Sequence, residues 1–395
     1  MNAAKPIDGA LRIEEHRGAE ALQVLRDEWR ELYDRSAAAP FLSWEWIATW
    51  HHHLGAGRTP RILCARRGGA LVGLLPLAEE RITLVPGAEV RRLSFLGERW
   101  GGADYLDVLA LEGEEAAAAQ AIYAHLNEVA DFDVADLDGI AADSPSVGLL
   151  AARFAEDGRF RHALTPRHTC PQVALEGTWR EVLKRSKRGD NFKRRLRQLR
   201  ELDGFERRVV RDPGEAVAAF ERFLVLHEAR WEAQGGSDAM GRPALQAFHR
   251  DVVVRLAERG WLRFEEIWVE GACRASIYGI DDGPTYCFYQ SGYDPAWAKR
   301  SVGLVCLGLS VEDALERGIT RYDFLRGTET YKFDWATGTR ETVAVRVAAR
   351  SLPATLLAAR EGAEAAARAA AHALLPSGAV DLLRRLRRNR ERQSA

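Results

Sequence analysis

Hydrophobic and polar residues follow one another along the chain in an order that occurs twice. In the first half the periodicity predicts a strand at 11–15, helices at 19–35 and around Trp44 to Trp50, a hairpin turning at Gly68-Gly69, strands at 92–96 and 105–109, a helix at 114–129 and a strand at 133–137. Two copies of one layout indicate a duplicated unit.

The second half repeats this order with little residue identity. The pattern predicts a strand at 205–210, helices at 214–233 and 243–258, a hairpin over 262–279 turning at Glu270-Gly271, a strand at 285–293, a helix from 304 to about 315 and a strand at 320–325. We therefore predict an α/β fold of two tandem units, each a mostly antiparallel sheet with flanking helices. The predicted units are 1–170 and 171–350. A further strand is predicted at 342–348, and residues 351–395 are predicted to form an Ala- and Arg-rich helical tail, with helices at 354–375 and 380–393.

The stretch between the last two predicted strands of the second unit carries the clearest chemistry. It reads Arg300, Ser301, Val302, Gly303, Leu304, Val305 and leads straight into a helix. A glycine at a helix start lets a ligand approach the free N–H groups of the first turn, which bind a pyrophosphate, and an adjacent guanidinium reaches the same oxygens. Neither G-x-x-x-x-G-K-[ST] nor G-x-G-x-x-G occurs, which argues against nucleotide hydrolysis and dinucleotide redox chemistry.

These residues resemble the Q/R-x-x-G-x-G/A loop of GNAT-type acyltransferases. The longer strings YQSGYDPAW, SVGL and YDFLRGTETYKFDW are similar to the CelD-like acetyltransferases of cellulose and exopolysaccharide synthesis. Val305 departs from the small residue that usually ends the loop. The resemblance implies tandem GNAT-like units, related in layout to Fem-type transferases, and acetyl-CoA or another acyl-CoA as co-substrate, bound by residues 300–305. It also implies that the thioester lies between two strands that splay apart, at 287–293 and 321–325.

Direct acyl transfer needs a base for the nucleophile and is aided by an acid for the departing thiolate. For the base we predict Glu266 and Asp323. Neighbouring strand residues face opposite sides, so Glu265 is the alternative to Glu266, and a solvated strand residue is the other interpretation of either. A structural ion pair with Arg326 is the alternative for Asp323. The resemblance implies that Tyr331 protonates the thiolate, although a packing aromatic fits equally. No G-x-S-x-G elbow is present.

Further side chains of the second unit are predicted to bind the acceptor. They are Tyr289, Gln290, Tyr293, Arg326 and Lys332. Polar-tipped side chains in the middle of a domain must find partners, and a lysine suits a phosphate or an acidic group. Between Arg99 and Glu115 the first half has Trp100-Gly101-Gly102 but nothing like R-x-x-G at the start of a helix. We therefore predict that the first unit binds no coenzyme and forms one wall of the acceptor cleft.

A strongly basic segment, Lys184 to Arg200, follows the predicted unit boundary. Nine of its seventeen residues are Lys or Arg, and from Phe192 onward the apolar residues share one helical face. It is either a docked helix with a solvated basic face or a binding site for a phosphate-bearing partner: the 3′-phosphate of coenzyme A, a nucleotide-linked sugar, an anionic lipid or tRNA.

Composition limits the remaining possibilities. The 395 residues are 47% hydrophobic with a net charge of −1, which argues against a general binder of DNA or other polyanions. Five cysteines without C-x-x-C spacing fit a reducing cytoplasm, and neither the cysteines nor His51-His52-His53 fit a metal site. No apolar run is long enough for membrane insertion.

Together these features predict a cytoplasmic acyl-CoA-dependent N- or O-acyltransferase acting on a sugar or another small amine or hydroxyl. A Fem-type transferase that takes an aminoacyl group from tRNA is one alternative. A catalytically silent GNAT-like binding protein is another.

Overall fold

A computed structural model describes residues 9–233 and 240–374, which form one mixed β-sheet with helices packed on it. The strands are β1 Leu11–Arg17, β2 Arg58–Arg67, β3 Ala70–Val85, β4 Ala88–Phe95, β5 Leu109–Ala110, β6 Val134–Ala141, β7 Phe160–Ala174, β8 Glu206–Val210, β9 Leu262–Val269, β10 Ala272–Asp281, β11 Thr285–Tyr293, β12 Arg321–Asp323 and β13 Gly338–Ala349. The α-helices are α1 Glu20–Val24, α2 Arg26–Asp34, α3 Trp44–Leu54, α4 Glu115–Val129, α5 Pro145–Ala155, α6 Trp179–Arg185, α7 Gly189–Arg200, α8 Pro213–Ala233, α9 Pro243–Glu258, α10 Val302–Glu316, α11 Thr330–Phe333 and α12 Leu352–Leu374. Two 3₁₀ helices span Pro40–Leu42 and Pro295–Arg300.

The tandem layout predicted from the sequence is confirmed in the order of the elements. The sheet runs β1-β2-β3-β4-β6-β13-β7-β12-β11-β10-β9-β8, with β5 paired to β3. In the first half β4 and β6 are parallel neighbours, and in the second half β11 and β12 are. The helix between the two parallel strands is α4 in the first half and α10 in the second. Each half therefore contains one strand–helix–strand crossover flanked by antiparallel strands.

The two halves exchange strands at the centre of the sheet. β7, which ends the first half, pairs with β12 of the second half through Gln172 to Ala174. β13, which ends the second half, pairs with β6 of the first half and with β7. The predicted boundary between residues 170 and 171 falls inside β7, so the division into units stays a prediction. The backbone hydrogen bonds of the central strands join both halves into one sheet.

The second half of the sheet is covered on both faces. On β10, Tyr278 and Ile280 belong to the apolar cluster that includes α8 and α9. Their neighbours Ala275 and Ile277 belong to the cluster that includes α7 and α10. Because alternate strand residues point to opposite faces, α8 and α10 lie on opposite sides of the same strands.

Two predicted elements of the first half differ from the structure. The helix predicted at 19–35 is two helices, α1 and α2, which meet at Leu25. The strand predicted at 105–109 is wrong, because only Leu109–Ala110 pairs, and residues 97–108 form an irregular loop. Arg99, Trp100 and Tyr105 have positive φ in this 97–108 loop, and a strand requires strongly negative φ.

The pattern also missed α5 and β7, although the sequence contains a helix-start signal. Ser144 caps α5 by accepting a hydrogen bond from the Ser146 N–H (3.1 Å), and Pro145 occupies the first turn. The Ala-rich helix predicted at 354–375 is confirmed as α12. The helix predicted at 380–393 lies outside the described residues. No helix among those described combines the length and apolarity needed to span a bilayer.

Candidate active site

The start of α10 presents backbone donors that have no partner. After β11, the Asp294 side chain caps the 3₁₀ helix by accepting from the Ala296 N–H (3.0 Å), and Ser301 then takes a left-handed conformation (φ 58°). Within the described residues the N–H groups of the first three residues of α10 have no acceptor; these are Val302, Gly303 and Leu304. Open N–H groups at the positive end of a 15-residue helix favour an anion.

Beside this helix start, two parallel strands part. The last paired residues of β11 and β12 are Cys287 and Asp323, whereas β11 continues to Tyr293. Opposite β10, the register shifts so that Tyr278 pairs with Gln290 and Gly279 with Phe288, which leaves Tyr289 as the extra residue of a bulge. The edge of β11 that faces away from β10 therefore has no strand partner over residues 288–293 in the described part of the chain.

A cavity of about 340 Å³ opens where the strands part and the helix begins. Its lining comes from β10, β11, α7, α8, the start of α10 and the turn after β12. The lining residues on which the argument depends are Arg188, Arg230, Ser291, Tyr293, Gly303 and Tyr331. Within the described ranges, no group of three or more His, Cys, Asp or Glu side chains is arranged to hold a metal ion.

Of the six predicted coenzyme-binding residues, four line this cavity. They are Ser301, Val302, Gly303 and Leu304. Arg300 is exposed and lies against Trp297, its guanidinium 5.1 Å from the ring centroid. Val305 is fully buried in the core, and its N–H donates to the Ser301 carbonyl oxygen (3.1 Å). Its larger side chain therefore packs away from the cavity and leaves the helix start open.

The predicted base Glu266 does not reach the cavity. Its carboxylate accepts from Arg222 Nε (2.9 Å) and from Trp268 Nε1 (2.9 Å), on the face of the sheet that carries α8. Glu265 points to the opposite face, where Arg207 donates to it (2.9 Å). Both carboxylates are almost completely buried. Glu265 and Glu266 are therefore neither bases in the cleft nor solvated strand residues, which were the two interpretations of these residues.

Asp323 is held by hydrogen bonds where β11 and β12 part. Its Oδ2 accepts from Tyr105 Oη (2.9 Å) and Gln172 Nε2 (2.6 Å), and its Oδ1 accepts from the Leu325 N–H (2.7 Å). Burial raises the pKa of Asp323 to about 6. The predicted pairing with Arg326 is wrong, because Arg326 Nε donates to Asp104 in the 97–108 loop (2.7 Å).

The predicted acid, Tyr331, lines the cavity. Its ring lies 6.4 Å from the rings of Phe288 and Phe324, and its hydroxyl lies beside Ser291 and Arg230. Burial raises the pKa of Tyr331 to about 12, so the phenol stays protonated at neutral pH and can donate a hydrogen bond.

Among the predicted acceptor-binding residues, only Tyr293 lines the cavity. Tyr289 donates to the Gly101 carbonyl oxygen (2.6 Å), and Gln290 hydrogen-bonds His227. Lys332 is 4% exposed and donates to the Arg326 carbonyl oxygen (2.7 Å). Arg326 contacts the 97–108 loop as described above, so that loop closes over the point where β11 and β12 part.

Five polar residues that line the cavity were not among the predicted site residues: Arg188, Asn191, Arg230, Ser276 and Ser291. Arg188 and Asn191 come from the start of the basic segment, and Arg188 also pairs with Asp334 (2.6 Å). Arg230 comes from α8 and is 9% exposed. The cluster of basic residues was a signal for Arg188, whereas nothing in the local sequence distinguishes Arg230 from the other arginines of the chain.

A mixed sheet whose parallel strands part beside an open helix start is the arrangement implied by the resemblance to GNAT-type transferases. Residues 185–333 match the family model described as Acetyltransferase (GNAT) domain, so the match includes the start of α10 and every lining residue of the cavity except Trp335. The residues predicted to bind the coenzyme thus lie within the segment that matches this family model. No curated protein sequence matches the chain.

Solved structures with a similar fold cover most of the chain. The crystal structure of FemX is 12% identical, with a TM-score of 0.56 over 80% of this chain and 95% of that one. A conserved protein of unknown function from Bacteroides thetaiotaomicron VPI-5482 is 12% identical, with a TM-score of 0.51 over 82% and 96%. A tandem GNAT protein from the clavulanic acid biosynthesis pathway is 13% identical, with a TM-score of 0.45 over 87% and 100%. At 12% identity, the likeness to the first two concerns the fold alone.

Proposed function

We propose that this protein is an acyl-CoA-dependent N- or O-acyltransferase that uses acetyl-CoA and transfers the acyl group directly to a sugar or another small amine or hydroxyl. One observation carries the proposal: β11 and β12 part beside the open first turn of α10, inside the segment that matches the GNAT domain. The finer assignment, to CelD-like enzymes of polysaccharide synthesis, rests on the sequence resemblance.

The coenzyme would use backbone groups for most of its contacts. The N–H groups of Val302, Gly303 and Leu304 would hold the pyrophosphate, with the helix dipole contributing. The free edge of β11 offers N–H and C=O groups to the amides of the pantetheine arm, as a strand edge does to an added strand. Arg188 lies at the rim of the cavity. This position favours a phosphate of the coenzyme as the phosphate-bearing partner of the Lys184–Arg200 segment.

The chemistry would depend on polarisation of the thioester and stabilisation of the thiolate. A backbone N–H at the bulge of β11 would face the thioester carbonyl. Tyr331, with a pKa of about 12, is a weaker acid than a thiol, whose ordinary pKa is about 8.5. Complete proton transfer to the thiolate is therefore uphill, and Tyr331 would act as a hydrogen-bond donor to the developing negative charge.

Calorimetry with acetyl-CoA and a desulfo analogue, performed on the wild type and on Gly303→Glu, tests coenzyme binding. We expect the wild type to bind both and Gly303→Glu to weaken binding about 100-fold or more, because two hydrogen bonds to a charged group contribute about 3 kcal/mol together. A glutamate in the first turn favours a helix, so the variant should fold. Gly148→Glu, at an exposed position in the first turns of α5, is the matched control and should bind like the wild type. Equal binding by Gly303→Glu and the wild type would refute the proposed phosphate site.

In the same experiment, Tyr331→Phe separates binding from chemistry. We expect an unchanged Kd for acetyl-CoA and a kcat lowered roughly 10- to 100-fold, the value of one hydrogen bond to a charged group. Thiol release is measured over a panel of amines and sugars. Coenzyme binding without thiol release for any acceptor would favour a silent GNAT-like binding protein.

A second candidate function is a Fem-type transferase that takes its aminoacyl group from tRNA. The exposed cations of α7 favour this candidate, because the apolar face of α7 is buried and its basic face is open to solvent. The Lys193 side chain, for example, is 55% exposed. Titration with charged tRNA tests it. Saturable tRNA binding without coenzyme binding would favour this candidate over the first.

A further inference from the structure

Arg230 reaches the cavity from α8, and the backbone does not require an arginine at this position. The close approach of α8 to the end of β11 brings it there: a Cβ on Gly292 would lie 2.4 Å from the His227 backbone nitrogen. Arg230 Nη1 then donates to Ser291 Oγ (2.8 Å) and, more weakly, to the Ser291 carbonyl oxygen (3.3 Å). The guanidinium is thus fixed against the unpaired stretch of β11.

Aromatic rings surround the guanidinium of Arg230. Its central carbon lies 5.4 Å from the ring centroid of Tyr293 and 5.5 Å from those of Tyr331 and Trp231. Such rings attract a cation and hold a planar guanidinium in place. The Tyr331 hydroxyl also lies beside the guanidinium, and the three rings hold the side chain in place without neutralising its charge.

Arg230 has no carboxylate partner among the described residues, although it is 9% exposed. Its Nε is buried and has no acceptor there. Two arginines that are buried more deeply in the sheet are paired: Arg61 with Asp131 (2.7 Å) and Arg263 with Asp313 (2.7 Å). A buried cation whose donors are unused is costly unless a ligand supplies the negative charge.

We propose that Arg230 binds a carboxylate carried by the substrate, through the Nε edge of its guanidinium. That edge offers two parallel donors, which match a carboxylate. This inference rests on the proposed acyl transfer from a coenzyme A thioester and specifies its substrate class: either the acceptor bears a carboxylate next to its amine or hydroxyl, or the acyl group is dicarboxylic and a thioester such as succinyl-CoA takes the place of acetyl-CoA. Both place the same anion in the same cavity.

The test compares Arg230→Met and Arg230→Lys with the wild type and with Arg153→Met, an exposed arginine on α5. Calorimetry measures the Kd of coenzyme A, acetyl-CoA and succinyl-CoA. Thiol release gives KM for amino acids and for the matching amino acid amides. A bidentate charged contact is worth roughly 10- to 100-fold in affinity, so Arg230→Met should lose about that much for one carboxylate-bearing substrate, with partial recovery in Arg230→Lys.

The pattern of losses identifies the source of the carboxylate. Selective weakening of succinyl-CoA assigns it to the acyl group, whereas a raised KM for amino acids but not for their amides assigns it to the acceptor. Equal weakening of coenzyme A itself would assign Arg230 to the phosphates and overturn the inference. So would unchanged values throughout, given thermal unfolding that matches the Arg153→Met control. A wild type that binds no coenzyme thioester would instead refute the proposed function, and the inference would fall with it.

Discussion

At the scale of single residues, Asp323 shows how partners distant in the sequence define the site. Tyr105 and Gln172, its side-chain partners, belong to segments that precede it by 218 and 151 residues. Both come from the first half of the chain, so the strand at which the cavity opens is held from across the sheet. The hydrogen bonds only partly replace lost hydration, which is why burial raises the pKa of Asp323 to about 6.

This raised pKa predicts a pH-dependent stability. The folded protein binds the Asp323 proton more tightly than the unfolded chain, whose aspartate has a pKa near 3.9. The cost of ionising the buried carboxyl is absent below about pH 4 and complete above about pH 6, so the free energy of unfolding falls as pH rises through that window, by roughly 3 kcal/mol. Asp323→Asn cannot titrate and should lack this decline.

Urea unfolding at several pH values between 4 and 7 measures the difference between wild type and Asp323→Asn. All other titrating groups are common to both proteins, so the difference isolates Asp323. Asp203→Asn, at an exposed turn, is the control and should follow the wild type. Parallel curves for wild type and Asp323→Asn would contradict the raised pKa.

At the scale of secondary-structure elements, α7 forms most of the basic segment and packs against α10, the helix whose first turn opens into the cavity. The predicted apolar face is confirmed: Phe192, Leu196 and Leu199 are buried, and the cations lie on the other side. Phe192 packs on Gly308 of α10 and against Trp335, with ring centroids 6.2 Å apart. The cavity thus depends on a close helix–helix contact as well as on the strands, whereas a phosphate-bearing partner for the segment stays a prediction.

Gly308→Ala tests this contact. A Cβ at position 308 would lie 2.2 Å from Phe192 Cε2, and Phe192 is 1% exposed and hemmed in by two tryptophans, so it cannot move aside. We expect a loss of about 1–3 kcal/mol in the free energy of unfolding. Gly362→Ala is the matched control on α12, where a Cβ would meet nothing within 4 Å, and it should raise stability by up to about 1 kcal/mol. Chemical denaturation measures both, and equal effects would argue against the tight contact.

At the scale of the whole molecule, the exchanged strands β7 and β13 make the two halves interdependent. A first half on its own would leave β6 and β7 without β13 between them, and a second half on its own would leave β12 without β7. Exposed central edges carry unpaired backbone groups, which are costly and promote association.

Fragments 1–174 and 175–395 test this dependence when they are produced as separate chains. We expect neither fragment alone to unfold cooperatively, because each lacks a central strand, and we expect the mixture to form a one-to-one complex with a cooperative transition. Circular dichroism and size-exclusion chromatography measure both properties. Cooperative unfolding of either isolated fragment would show that the exchanged strands are dispensable for folding.

The local sequence predicted the elements of the second half because periodicity and turn residues act over a few positions. β11, from Thr285 to Tyr293, was predicted with its observed limits, and so was the hairpin turn at Glu270-Gly271. The open start of α10 followed from Gly303 at a helix beginning and is confirmed as a set of free N–H groups. The 97–108 loop was predicted wrongly in part, because Tyr105 and Asp104 are held by Asp323 and Arg326 in the other half of the chain, and the local sequence does not show these contacts.

The sequence by itself therefore determined the repeated order of elements and the place of the open helix start at Gly303, since both depend on residues close together in the chain. Only the tertiary structure decided that β7 and β13 change places, that Arg326 pairs with Asp104 rather than Asp323, and that Arg230 enters the cavity without a counter-charge. These features depend on residues that lie far apart in the sequence, and hydrophobic periodicity specifies which face of an element is buried without specifying what it is buried against.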